Sequence, residues 1–182
     1  MEELFNHPSP SVHSVSSVGQ PSSLPRIGLG CVTFGREIDE AASFTLLDHA
    51  LERGVRHFDT ASAYGGGASE TILGKWLASR KPQGITVATK ILPPYDRMDI
   101  TDSLRRLGVE QIDLLYLHQW HESVPQGIPV LQSLLHSNQI KSLGASNVTL
   151  DQLRALGPRF RVIQNNHNLA VRDVTEALCD FC

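Results

Sequence analysis

Val55-Arg56-His57-Phe58-Asp59, Ile85-Thr86-Val87-Ala88-Thr89-Lys90 and Ile112-Asp113-Leu114-Leu115-Tyr116-Leu117-His118 are three short apolar runs, and each closes on an ionisable side chain. Such runs, rich in β-branched and apolar residues and separated by stretches with helical periodicity, read as strands alternating with helices. Alternation of that kind predicts a parallel sheet built from βαβ units. Neighbouring parallel strands lie about 4.8 Å apart, so the carboxyl ends of three of them span only about 10 Å. Asp59, Lys90 and His118 are thereby expected in one pocket, at the end of the sheet where parallel α/β folds place their sites.

Outward from these runs, Arg26 to Gly30 reads as a first strand, and Ile38 to Arg53 as a helix ending at Gly54. Gly65-Gly66-Gly67 makes a loop after the second strand, and Ser69 is placed to cap a helix running to about Ser79. Pro93-Pro94 delays the next helix until near Asp99, and it stops around Gly108. Further elements are a helix from about Ile128 to Asn138, a fifth strand Ser142–Ser146, a helix Leu150–Leu156, a sixth strand Arg161–Gln164 and a helix starting near Asp173. An open doubly wound sheet would carry Gly-x-Gly-x-x-Gly in its first loop; Gly28-Leu29-Gly30-Cys31-Val32-Thr33 lacks the third glycine. A closed eight-stranded barrel takes about 250 residues, against roughly 157 from position 26 onward. The expected fold class is therefore α/β, an incomplete (β/α)8 barrel comprising about its first six strands.

Residues 1–25 are rich in Ser and Pro and poor in bulky apolar side chains, which predicts a flexible tail before a barrel domain over 26–182. The net charge of −3 gives no electrostatic case for nucleic acid. No apolar stretch nears the roughly 20 residues that span a bilayer, and no basic and apolar leader opens the chain, so a cytoplasmic location is expected. Three cysteines are too few for a disulfide framework, and free thiols are expected.

The strand-end residues suggest proton transfer. A tyrosine hydroxyl ordinarily titrates near 10, so acid–base work at neutral pH asks for a lowering of about 3, or about 4 kcal/mol. A cation about 4 Å away supplies an effect of that order at an effective dielectric of 20. Lys90 beside Tyr64 would serve, with Asp59 holding the ammonium and His118 steering a substrate oxygen. A structural ion pair between Asp59 and Lys90 is the plainer alternative. Gly65–Gly67 is read as a plain turn because no P-loop Lys-Ser/Thr follows. Cys179-x-x-Cys182 lies at the far end of a helix, where the thiol gains nothing from the N-terminal dipole. His118 and His121 have no third ligand nearby in sequence, so no metal site is expected. Lys90 as a Schiff-base nucleophile is a further alternative, although it leaves Tyr64 and Asp59 without a role.

Gly30-Cys31-Val32-Thr33-Phe34-Gly35-Arg36-Glu37, Phe58-Asp59-Thr60-Ala61-Ser62-Ala63-Tyr64-Gly65, Glu70-Thr71-Ile72-Leu73-Gly74, Thr89-Lys90 and Asp113-Leu114-Leu115-Tyr116-Leu117-His118 together resemble the aldo-keto reductase family. The resemblance runs from about Pro25 to the last residue. It implies NADPH-dependent reduction of aldehydes and ketones without a metal, with Tyr64 as acid/base, Lys90 and Asp59 tuning it, and His118 orienting the carbonyl. It also implies that Ser146, Asn147 and Gln164 bind the nicotinamide carboxamide and that Gly30, Thr33 and Asp59 lie against the same half of the cofactor. Departures are the absence of the family's strands seven and eight, which grip the adenosine phosphates, and His167 where a tyrosine is more usual. The alternatives left open are a catalytically inactive truncated fragment, self-associating through exposed sheet edges, and a cofactor-binding partner subunit. The implied partner is otherwise a small-molecule carbonyl substrate.

Overall fold

The computed structural model describes residues 27–182; the expected tail lies outside them. Six strands, β1 (Gly28–Gly30), β2 (His57–Asp59), β3 (Thr86–Ile91), β4 (Ile112–Leu117), β5 (Ile140–Ser146) and β6 (Phe160–Gln164), form one parallel sheet in chain order. The connecting helices are α1 (Glu40–Glu52), α2 (Ala68–Arg80), α3 (Arg97–Leu107), α4 (Val124–His136) and α5 (Leu150–Leu156), followed by α6 (Glu176–Phe181). The architecture is thus a partial (β/α) barrel. No helix among the described residues is long and apolar enough to cross a membrane.

The helix starts follow side-chain chemistry. Asp39 accepts from the Ala42 N–H, Asp96 from Asp99, and Thr149 closes a capping box with Gln152. α4 begins at Val124, four residues before the expected start, because Pro125 suits a first turn, where its missing N–H costs nothing. α6 begins at Glu176 behind the cap Thr175 rather than near Asp173. Ser69 does not cap α2. Gly67 does, and the buried Ser69 hydroxyl donates to the Cys31 carbonyl at 2.7 Å and pairs with Thr60 at 2.7 Å.

The outer faces of the strands and the inner faces of the helices make one large apolar core that includes Phe58, Leu73, Trp76, Ile91, Leu107, Leu115, Leu131 and Leu143. The other sheet face carries a small separate cluster, Ala88, Leu114 and Tyr116 with Val162 against it. A two-sided burial of this kind explains why the strands read as nearly continuous apolar runs. Behind the site, Glu70 is fully buried, accepting from the Thr89 hydroxyl and from Arg106 Nε at 2.6 Å; this ties α2 to β3 and α3.

Helix α2 meets α3 through Gly74. A Cβ there would stand 2.8 Å from the Leu107 carbonyl and closer still to the Arg106 carbonyl oxygen. Gly74→Ala is therefore expected to force the two helices apart and cost about 1–3 kcal/mol, although alanine is the better helix former. Urea denaturation checks this; a variant as stable as the parent would show that the helices slide freely.

Candidate active site

Strand register brings the ionisable residues together. Asp59 pairs with Ala88, and Lys90 pairs with Tyr116, so the carboxyl ends of β2, β3 and β4 lie side by side. His118 follows β4 directly, and its N–H donates to the Ile91 carbonyl at 3.0 Å. Tyr64 opens a short 3-10 turn, Tyr64–Gly67, in which Gly65, Gly66 and Gly67 all have positive φ (58°, 62° and 93°). Three consecutive residues in the left-handed region need glycine, and they swing the Tyr64 side chain back over the strand ends.

The Lys90 side chain is buried to 2 % exposure. Its ammonium donates to Asp59 Oδ2 at 2.6 Å, the Thr60 carbonyl at 2.9 Å and the Tyr64 hydroxyl oxygen at 3.2 Å. An ammonium has three N–H donors, and all three are engaged. The Lys90 nitrogen is thereby held on three acceptors, which disfavours Schiff-base chemistry. Because the Tyr64 oxygen accepts from Lys90, its own hydrogen is left to point elsewhere. The Tyr64 ring packs edge-on to His118, with ring centroids 5.8 Å apart. Burial and, next, the Lys90 charge hold the His118 pKa below its ordinary value, so its imidazole is neutral at pH 7. Cys31, buried beneath this floor, has its thiol pushed up to about 12 by burial and then by Asp59.

A cavity of about 300 Å³ is lined by Asp59, Tyr64, Lys90, His118, Ser146, Asn147, Gln164, Asn165 and Asn166. It gathers all four expected catalytic side chains and four of the six expected cofactor contacts, Asp59 being counted in both sets. Gly30 and Thr33 are not among its lining residues: Gly30 is the register partner of Asp59 on β1, and Thr33 sits in the turn that follows, where its carbonyl accepts from the N–H groups of Arg36, Glu37 and Ile38. Asn165 and Asn166 were not singled out in the sequence; asparagines after a strand read simply as turn residues, and only the β5–β6 register brings them here.

The cavity suits a polar ligand. Asp59 Oδ1 and His118 Nδ1 are buried without a hydrogen-bond partner, and buried polar atoms are seldom left so. The Ser146 hydroxyl donates to the Gln164 carbonyl at 2.8 Å, and Asn147 Nδ2 donates to the His118 carbonyl at 3.0 Å. The residues present fit the amide and hydroxyl groups of a nicotinamide nucleoside, since the carboxamides of Asn147, Gln164 and Asn166 and the hydroxyl of Ser146 belong to residues lining one cavity.

His57 and His118 share one electrostatic consequence. Burial lowers the pKa of each in the folded chain. Below about 6.5, the unfolded chain then binds more protons than the folded one, so stability is fully present above that pH and declines as pH falls beneath it. Urea midpoints are expected to drop between pH 7.5 and 5.5, and less in a His57→Asn/His118→Asn variant; equal slopes would contradict this assignment.

The description "Aldo/keto reductase family" belongs to the family model that matches residues 26–182. A probable aldo-keto reductase 1 of Glycine max is 28% identical over 186 residues, covering 90% of this chain and 54% of that protein. The glycerol dehydrogenase of Gluconobacter oxydans has a similar fold, with a TM-score of 0.72 and 31% identity, over 82% of this chain and 53% of its own. An aldo-keto reductase of Klebsiella pneumoniae, solved in complex with NADPH, shares the fold at a TM-score of 0.66 and 22% identity, over 72% and 49% of the two chains. The chain spans about half the length of the curated relatives it matches. With a family match over all of the described residues, this chain belongs to the aldo/keto reductase family.

Proposed function

We propose that this protein reduces aldehyde and ketone carbonyls to alcohols with NADPH. Tyr64 acts as the acid that protonates the carbonyl oxygen. The observation that carries the reading is the 3.2 Å approach of the Lys90 ammonium to the Tyr64 oxygen, with Asp59 2.6 Å from the same nitrogen. Bound beside this group, the reduced nicotinamide would supply the hydride that the carbonyl carbon takes up. As negative charge grows on the Tyr64 oxygen, Lys90 offsets it from a buried position where the attraction is little screened. Asp59 keeps the ammonium from swinging away. His118, being neutral, holds the substrate oxygen in line with the phenol without competing for the proton. Ser146, Asn147 and Gln164 take the carboxamide of the cofactor, while Gly30, Thr33 and Asp59 lie against the same half of it. The preference for NADPH over NADH rests on family resemblance.

Loss of NADPH absorbance in the presence of a generic aldehyde tests the proposal, and a folded chain with no turnover would refute it. Among the described residues β1 and β6 are the outer strands of the sheet, and this favours one second reading: a cofactor-binding subunit without turnover, in which these edges associate with another chain. Cofactor binding without aldehyde reduction, in a chain whose apparent mass rises with concentration, would select it.

A further inference from the structure

The last rung between β5 and β6 pairs Ser146 with Gln164. Beyond it, the Asn147 N–H still donates to the Gln164 carbonyl at 3.1 Å, but the backbone of Asn147 turns into the left-handed region with φ 55°. At the next residue the Asn165 side chain takes over the role of a strand. Its Oδ1 accepts from the Val148 N–H at 3.1 Å, and its Nδ2 donates to the Val148 carbonyl at 2.7 Å. This two-point clamp holds a nearly fully buried residue, whose peptide groups need protein partners. With Val148 held, Asn147 keeps its unusual backbone, and its Nδ2 reaches both the His118 carbonyl at 3.0 Å and the Ser146 hydroxyl at 3.1 Å.

We infer that Asn165 is a positioning residue for the nicotinamide end of the cofactor, acting through Val148 to hold Asn147 and Ser146 in register with Gln164 and with His118. The inference rests on the proposed role of Ser146, Asn147 and Gln164 as the carboxamide cradle. Without the clamp, Asn147 is free to leave the left-handed region, and its bridge to the His118 loop opens. One side chain outside the expected set thus couples the cofactor cradle to the residue that orients the substrate oxygen.

The test is binding of reduced nicotinamide mononucleotide, the half of the cofactor that this cradle would hold, to the full 182-residue chain. Gln164→Ala probes the cradle itself. Asn165→Val removes both clamp bonds at similar volume and is expected to weaken binding about tenfold, the scale of a lost hydrogen bond. Asn165→Asp keeps the acceptor for the Val148 N–H but sets a carboxylate against the Val148 carbonyl. Its affinity relative to the parent is expected to be low at pH 7 and to recover as the carboxyl gains a proton and can donate again; the valine variant shows no such recovery. That pH profile separates positioning from a general loss of structure, and the aspartate variant carries the comparison if the valine variant does not melt cooperatively. Parent-like binding by both Asn165 variants, alongside weakened binding by Gln164→Ala, would overturn the inference alone. Parent-like binding by Gln164→Ala, or no binding by the parent, would bring down the cradle and the inference together.

Discussion

Replacing Lys90 with methionine is expected to destabilise the protein by about 3–5 kcal/mol and to abolish carbonyl reduction. The reason is the carboxylate left behind. Asp59 Oδ1 already lacks a partner, and Oδ2 has the Lys90 ammonium at 2.6 Å. Without that cation, a buried charge has both oxygens bare, and breaking one side of a buried pair costs far more than the pair contributed. The Thr60 carbonyl loses its 2.9 Å donor as well. Lys90→Met/Asp59→Leu should recover most of the stability, since no charge is then stranded, but none of the activity. Urea denaturation and NADPH oxidation measure the two effects separately. A single variant with the parent's midpoint would mean that water reaches Asp59 freely.

Tyr64→Phe is expected to do the opposite, leaving stability near the parent's while lowering the rate of reduction by about 10²- to 10⁴-fold, the usual contribution of a positioned acid. Tyr64 lines the cavity, and its phenol oxygen accepts one bond, at 3.2 Å, from an ammonium that keeps two other partners. Its removal leaves one Lys90 N–H without an acceptor but strands no charge, so the cost stays well below that of Lys90→Met. The loss should fall on kcat, with cofactor affinity unchanged, because the hydroxyl is asked to act in the transition state and not in binding. Single-turnover NADPH oxidation checks this. Parent-like turnover would move the acid role to another group, with His118 the next to examine.

The residues behind these two variants are legible in the sequence to different depths. Asp59, Lys90 and His118 could be placed at neighbouring strand ends because largely apolar runs of four to six residues precede them, and periodicity is a strong local signal. Tyr64 could not be placed that way. Its position depends on the left-handed run Gly65–Gly67, which the sequence marks only as a loop. α4 starts four residues ahead of the expected Ile128, since Pro125 sits in its first turn, where proline is tolerated. Ser69 carried the composition of a helix cap, but tertiary burial between Thr60 and the Cys31 carbonyl claimed it instead. Asn165 and Asn166 were illegible for a deeper reason: their contacts come from the register of β5 against β6, which no window of local sequence contains.

The glycine turn beneath Tyr64 has a consequence for how this protein can change. A side chain at Gly67 would run into Arg106 at 2.8 Å, and one at Gly65 would crowd Ala68 and the Phe34 carbonyl, apart from the backbone conformation both would have to adopt. Asn166 lines the same cavity and is not held in the left-handed region. Laboratory evolution of substrate range should therefore find the glycine turn closed to new amino acids and position 166 open to them.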